Sequence, residues 1–244
     1  MTQFFSKVRL LLGAVMMVLA TVAGAQEAVI RKSITERFPK LPRIEEVTKT
    51  PMAGLYEIRV GTDIFYTDEQ GNYLLDGQLI DTKSGTNLTE ARIEKLTAID
   101  FATLPFKDAV VWKQGSGARK VAVFADPNCG YCKKLEQDLQ QVKDVTIYTF
   151  LVGMLGEDSV TKSRNIWCAK DKVQVWRNWM LENTPPPRSM GSCDASALER
   201  NAALQRKHRI NGTPAMIFEN NRRVPGALPL AQIEKLLAAA AAQK

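Results

Sequence analysis

The hydrophobic pattern divides the chain into blocks of different period. Leu10 to Ala20 is an apolar run behind Lys7 and Arg9, too short to span a bilayer. Ala23-Gly24-Ala25 fits the small-x-small cleavage rule, which predicts a signal peptide over 1–25 and a mature chain beginning at Gln26. Over 28–39, Ile30, Ile34 and Phe38 recur every four residues before Pro39, predicting a short helix. The period then falls to two. Tyr56, Ile58 and Val60 alternate with Glu57 and Arg59, and Gly61-Thr62-Asp63 breaks that strand. Ile64 to Thr67, the turn Asp68-Glu69-Gln70-Gly71-Asn72, and Tyr73 to Ile80 follow. Residues 26–86 are thus predicted to form a small α+β domain, one helix with an antiparallel sheet. Such a unit buries little apolar surface alone. Pairing with a second copy would bury more and cover an edge strand; the alternative is a monomeric accessory domain.

Asp81 to Thr86 is polar with a glycine and reads as a hinge. Asn87 can cap a helix with Glu90 three residues on. Leu88, Ile93, Leu96 and Ile99 then give a thin apolar stripe up to Phe101, ahead of Pro105. A stripe this thin suits a linker helix over 87–103, or one that caps the next domain. From 104 onward strands and helices alternate. Ala109 to Lys113, Arg119 to Ala125 and Val145 to Val152 read as strands. A helix from Cys132 to about Gln141 lies between the last two, with Leu135 and Leu139 four apart. An insertion over about 155–209 is helical: Ile166, Val173, Trp176 and Met180 lie near helical spacing before Pro185-Pro186-Pro187, and Ala195 to Arg209 forms another helix. Ala215 to Phe218 and Arg222 to Val224 flank a hairpin turn, Val224-Pro225-Gly226 is a glycine turn, and a last helix starts near Pro229, its alanine run expected to fray.

A length of 244 residues allows two modest domains, and 45% hydrophobic content is ordinary for a globular chain. Loss of Lys7 and Arg9 takes the formal charge from +7 to +5, a mild and scattered excess. No basic block alternates with aromatics, so the sequence does not point to nucleic-acid binding. A cleaved signal places the four cysteines in an oxidising compartment.

The chemistry concentrates at Asp126-Pro127-Asn128-Cys129-Gly130-Tyr131-Cys132-Lys133-Lys134, where a β-branched strand gives way to a helix. A helix N-terminus carries unpaired N–H groups and about half a positive charge. Both favour a thiolate, so Cys129 is the candidate nucleophile and Cys132, one turn on, the candidate resolving thiol. Half a zinc site would need a second C-x-x-C or a His pair. The remaining cysteines, Cys168 and Cys193, are far apart and His208 is the sole histidine, a surface residue in this reading. Neither a metal nor an organic cofactor is indicated. A βαβ unit with C-x-x-C at its helix start is the arrangement of a thioredoxin fold. Thr213-Pro214, opening the strand Ala215 to Phe218, is a place where a cis peptide is tolerated.

Cys129-Gly130-Tyr131-Cys132, the Thr213-Pro214 loop, the block Ile166-Trp167-Cys168-Ala169-Lys170-Asp171 and the signal pattern together resemble the DsbC family, dimeric periplasmic disulfide isomerases of Gram-negative bacteria. The likeness is strong from Phe124 onward and mostly one of layout before Thr103. It implies a cystatin-like dimerisation domain, a linker helix and an α/β thioredoxin-fold domain with a helical insertion over 104–244. It also implies a homodimer acting on misoxidised or unfolded secreted proteins and kept reduced by a membrane protein similar to DsbD. In thioredoxin-like proteins the cis-proline loop faces the cysteine pair and binds substrate backbone, which makes Thr213 and Pro214, with Gly130 and Tyr131, the substrate-binding candidates. Cys168 and Cys193 are expected to form a permanent disulfide. Thioredoxin has a buried carboxylate six residues before its first cysteine; here that position is Val123, leaving solvent or Glu136 as the proton route. Other readings are a DsbG-like reductase of cysteine sulfenic acids, a cytochrome c maturation reductase, and a chaperone that holds unfolded chains. DsbG has proline where Gly130 stands here. The maturation reductase would be expected to be membrane-tethered, with a shorter single domain.

Overall fold

In the computed structural model, residues 24–243 are described. The basic and apolar parts of the expected signal peptide lie outside them. The chain divides into two compact units between Leu96 and Thr97.

In the first unit helix α1 (residues 24–37) is followed by strands β1 (Glu46–Lys49), β2 (Leu55–Val60), β3 (Asp63–Asp68) and β4 (Leu74–Leu75), a four-stranded antiparallel meander. Ile30 and Ile34 of α1 pack on Tyr56, Ile58 and Val60 of β2, the residues whose alternation marks that strand. Phe38, the third position of the helical stripe, lies beyond the helix end and is exposed. This helix-on-sheet arrangement is cystatin-like. The polar segment Asp81 to Thr86, expected to be a hinge, is a tight hairpin in which β5 (Ile80–Asp81) pairs with β6 (Thr86–Asn87). The Asp81 carboxylate accepts from the Lys83 N–H and the Ser84 hydroxyl, each at 2.9 Å, so side-chain bonds close the turn. Helix α2 (Leu88–Thr97) is shorter than its stripe predicted, and a 3-10 turn at Phe101–Thr103 follows. Asn87 caps it through the Glu90 N–H at 3.1 Å. Its attachment is polar, with Arg92 bridging to Glu46 and Glu57 and Thr89 hydrogen-bonded to Tyr66, which is why the apolar stripe is thin.

The second unit is built on a five-stranded sheet of order β11-β10-β8-β9-β7, from β7 (Val110–Gln114), β8 (Arg119–Ala125), β9 (Val145–Leu151), β10 (Ala215–Phe218) and β11 (Arg223–Pro225). β8 and β9 are parallel, joined by α3 (Gly130–Leu139), while β10 runs antiparallel to β8. β8 is buried on both faces: Val121, Val123 and Ala125 face one core and Ala122 and Phe124 the other. That is why its sequence reads as a continuous apolar run. The insertion contains α4 (Glu157–Trp167), α5 (Lys172–Glu182) and α6 (Ser196–Lys207). The spacing from Ile166 to Met180 spans two helices, not one. The break falls at 168–171, where Asp171 caps α5 through the Gln174 N–H at 2.9 Å. The last helix, α7 (Leu230–Ala241), keeps its alanines helical, as their propensity favours, and Ala240 is buried.

Candidate active site

β8 ends at Ala125 and the chain turns through Asp126-Pro127-Asn128 into Cys129, the N-cap of α3. The turn is closed by the Cys129 N–H to the Asp126 carbonyl at 3.1 Å. The antiparallel register of β8 and β10, with Phe124 opposite Ala215, carries the start of β10 to the end of β8. The residues just outside those strands, Cys129 and Thr213-Pro214, therefore meet. The Thr213-Pro214 peptide is cis, and the Cys129 thiol donates to the Thr213 carbonyl at 3.2 Å. The Gly226 N–H braces the loop from behind, to the Pro214 carbonyl at 2.7 Å. Gly226 has φ +80°, a conformation open to glycine without strain.

The two thiols are free and unequally placed. Both are buried, Cys132 more deeply, among Leu135, Leu139 and the apolar side of β8. Burial pushes the Cys132 thiol well above the ordinary cysteine range, and the neighbouring Cys129 sulfur adds to the rise. The Asp126 backbone and the Thr213 side chain act in the opposite direction by favouring its thiolate. Between the sulfurs, Tyr131 is 73% exposed, and a Cβ built at Gly130 would meet nothing within 4 Å. The fold itself therefore does not require glycine there, and its absence of bulk leaves the approach to Cys129 open. Position 123 is buried and apolar, in keeping with its valine.

Asp126 stands in the motif with no role that sequence alone assigns. Its buried carboxylate accepts from the N–H groups of Asn128, Met154 and Leu155 at 2.8, 2.7 and 3.0 Å and from the Ser159 hydroxyl at 2.7 Å. It thus fastens the cysteine turn to the loop after β9 and to the start of α4. The Asn128 side chain repeats the link, to Asp158 at 2.6 Å and Ser159 at 3.0 Å. The Asp three residues before Cys129 is the only sequence signal, and its partners lie about thirty positions away.

Helix α5 of the insertion backs the site. Its Trp176 donates to buried Glu136 of α3 at 3.2 Å, and its Trp179 donates to the Pro127 carbonyl at 2.5 Å. Burial pushes the Glu136 carboxyl up to about 7, against the opposing pull of Trp176 and Arg177. Cys168 and Cys193 are joined in a disulfide across 25 positions, closing the loop that carries α5. His208, expected at the surface, is half-buried at the end of α6. Among the described residues no group of three or more His, Cys, Asp or Glu side chains could hold a metal ion, and no helix is long and apolar enough to cross a membrane.

A parallel βαβ unit with two free cysteines at the head of its helix and a cis-proline loop against the first sulfur defines a thioredoxin-like thiol:disulfide interchange protein. Residues 21–90 match the family model for the disulfide bond isomerase protein N-terminal domain, and residues 106–241 match the thioredoxin-like domain. The chain is 42% identical over 218 residues to the probable thiol:disulfide interchange protein DsbC of Bordetella parapertussis, covering 89% of this chain and 76% of the relative. It is 26% identical over 223 residues to the DsbC of Escherichia coli K12, covering 88% and 89%. A disulfide interchange protein of Neisseria gonorrhoeae, solved by crystallography, superposes with a TM-score of 0.53 at 33% identity, covering 57% of this chain and 99% of that one. The chain belongs to the DsbC family.

Proposed function

We propose that the protein rearranges incorrect disulfides in secreted proteins, with Cys129 as nucleophile, Cys132 as resolving thiol, and Gly130, Tyr131, Thr213 and Pro214 as the surface that receives the substrate chain. The observation that carries this reading is the Cys129 sulfur at the head of α3, 3.2 Å from the cis-proline loop. Cys129 as thiolate attacks one sulfur of a substrate disulfide; a Cys129–substrate bond forms as the substrate bond breaks, and the departing sulfur takes a proton. Loss of the Cys129 proton leaves the Thr213 carbonyl free to accept an N–H from the substrate backbone. A second substrate thiol then attacks the mixed disulfide, giving isomerisation and returning Cys129. If Cys132 attacks instead, the substrate leaves reduced and the pair is oxidised. Burial makes Cys132 a reluctant attacker, which gives the substrate thiol time and favours isomerisation. The net-reduction branch requires a dithiol reductant, for which a membrane protein similar to DsbD is suited.

Residues 26–86 are proposed to join two chains, 87–103 to link, and 104–244 to carry the chemistry. Exposed Tyr73 and Leu75 at the short edge strand β4, with exposed Met52 lining the same hollow, support the pairing. A periplasmic location after cleavage at Ala25/Gln26 is supported by the N-terminal pattern and by the Cys168–Cys193 disulfide, which persists in oxidising compartments. The test is recovery of correctly paired product from a scrambled multi-disulfide protein. Wild type should restore it and Cys129→Ser should not; equal recovery with both would leave only a holding role for the protein.

A further inference from the structure

Beside the cysteine turn, the Trp179 ring holds two ammonium groups close to it. Lys133 of α3 sits with its Nζ 4.0 Å from the ring centroid and Lys162 of α4 at 4.6 Å. Both lysines are half-buried, and the Lys133 ammonium is held below its ordinary value by burial and by the charge of Lys162. Among the described residues one carboxylate, that of Asp158, pairs with them, and it pairs with Lys162. Among the described residues, the Lys133 ammonium donates to the neutral Asn183 side-chain oxygen and has no carboxylate partner. Two like charges are thus gathered at one indole ring with a single counter-charge.

The cluster is fixed to the nucleophile. The Trp179 indole donates to the Pro127 carbonyl, two residues before Cys129, and the Lys133 N–H donates to the Cys129 carbonyl at 3.1 Å. Two residues span at most about 7 Å, so a substrate residue two or three positions from the attacked cysteine, advancing about 3.3 Å per residue, reaches this shelf.

We propose that the Lys133–Trp179–Lys162 shelf is a subsite for a carboxylate of the substrate chain, an Asp or Glu side chain two or three residues from the cysteine under attack. A carboxylate would supply the missing counter-charge, accept a hydrogen bond from Lys133 and relieve the repulsion between the lysines. The indole keeps both ammonium groups from collapsing onto other partners. The subsite gives an otherwise permissive surface a preference among cysteines. It rests on Cys129 being the nucleophile.

The test uses the reduced full chain and synthetic peptides with one central cysteine blocked as a thionitrobenzoate mixed disulfide. The residues two and three positions away on either side are all Glu, all Gln or all Lys. Release of thionitrobenzoate is followed by stopped flow at low and high salt. The Glu peptide should react about fivefold faster than the Gln peptide at low salt, the scale of a partly screened ion pair, and the Lys peptide slower than both. High salt should compress the series. In Lys133→Gln/Lys162→Gln the Glu-to-Gln ratio should fall to about one, and Lys133→Glu should turn the preference toward the Lys peptide. Thermal unfolding checks that each variant is folded. Equal rates in wild type, a ratio that survives the double substitution, or slowing of all three peptides by one factor would each overturn the subsite; the last would place the cations' effect on the nucleophile itself. If no peptide reacts with wild type, the assignment of Cys129 fails first.

Discussion

The Cys129 sulfur and the Thr213 carbonyl oxygen are 3.2 Å apart, although 84 positions separate them along the chain. Thr213 also reaches the second sulfur, since its side chain favours the Cys132 thiolate against the opposing effect of burial. One residue therefore touches both halves of the exchange cycle. Thr213→Val keeps the carbonyl and removes the hydroxyl. Attack by Cys129 should be retained, and release of the mixed disulfide by Cys132 should slow about tenfold, the scale of a hydrogen bond to a charged group. Single-turnover kinetics with a trapped mixed disulfide separates the two steps, and equal slowing of both would argue against this division.

Cys132→Ser removes the resolving thiol. The mixed disulfide at Cys129 should then accumulate with substrates that lack a second thiol, while rearrangement of a scrambled multi-disulfide protein should persist in part. Mass spectrometry of acid-quenched reactions reads the adduct. Absence of an adduct in this variant would remove Cys129 from the first step.

The disulfide between Cys168 and Cys193 closes a loop of 25 positions. A loop of this size contributes roughly 3.5 kcal/mol in the chain-entropy model. Replacing both cysteines with alanine should lower stability by about that amount, measured by urea unfolding. Because α5 brings Trp176 and Trp179 to the site, exchange activity should become more temperature-sensitive as well. Mild reduction and alkylation of the native protein should label Cys129 and spare this pair.

Glu136 gives a pH dependence with an unusual sign for a carboxylate. Its native value is raised to about 7 from an ordinary 4.5. Between those values the native protein holds a proton that the unfolded chain has released. Stability therefore falls as pH rises through the window, and the full penalty of the buried charge is present above it. Glu136→Gln removes the titration. Relative to wild type it should gain about 3 kcal/mol between pH 4 and pH 8, because each tenfold rise in proton affinity on folding is about 1.4 kcal/mol. Denaturant unfolding of both proteins at the two pH values checks this. A constant difference would show that Glu136 is not buried as a proton-binding group.

Pairing through the first unit predicts a dimer whose stability depends on the β4 edge. Leu75→Lys and Tyr73→Lys, placed on exposed positions, should leave the monomer fold intact and weaken association. Light scattering at micromolar concentration should show the mass falling by half. An unchanged mass would move the interface elsewhere.

The sequence by itself determined the local elements with clear periods and the chemistry they carry. The alternation at Tyr56, Ile58 and Val60, the doubly buried run from Val121 to Phe124, and the cysteine pair at the head of α3 are all short-range patterns, set by pleat, helix pitch and side-chain type. The sequence left hidden the local hydrogen-bonded hairpin within the polar run Asp81 to Thr86, and it misled where helical spacing ran across a break, as at 168–171. Beyond the Thr213-Pro214 loop that the resemblance places there, only the tertiary structure decided what surrounds the sulfurs. Strand register brings Thr213 to Cys129, and the partners of Asp126 come from the loop after β9 and from α4. Trp176 and Trp179 reach from a disulfide-closed insertion to Glu136 and Pro127. Such contacts join residues tens of positions apart, and no period along the chain encodes them, because they depend on which faces of separate elements pack together.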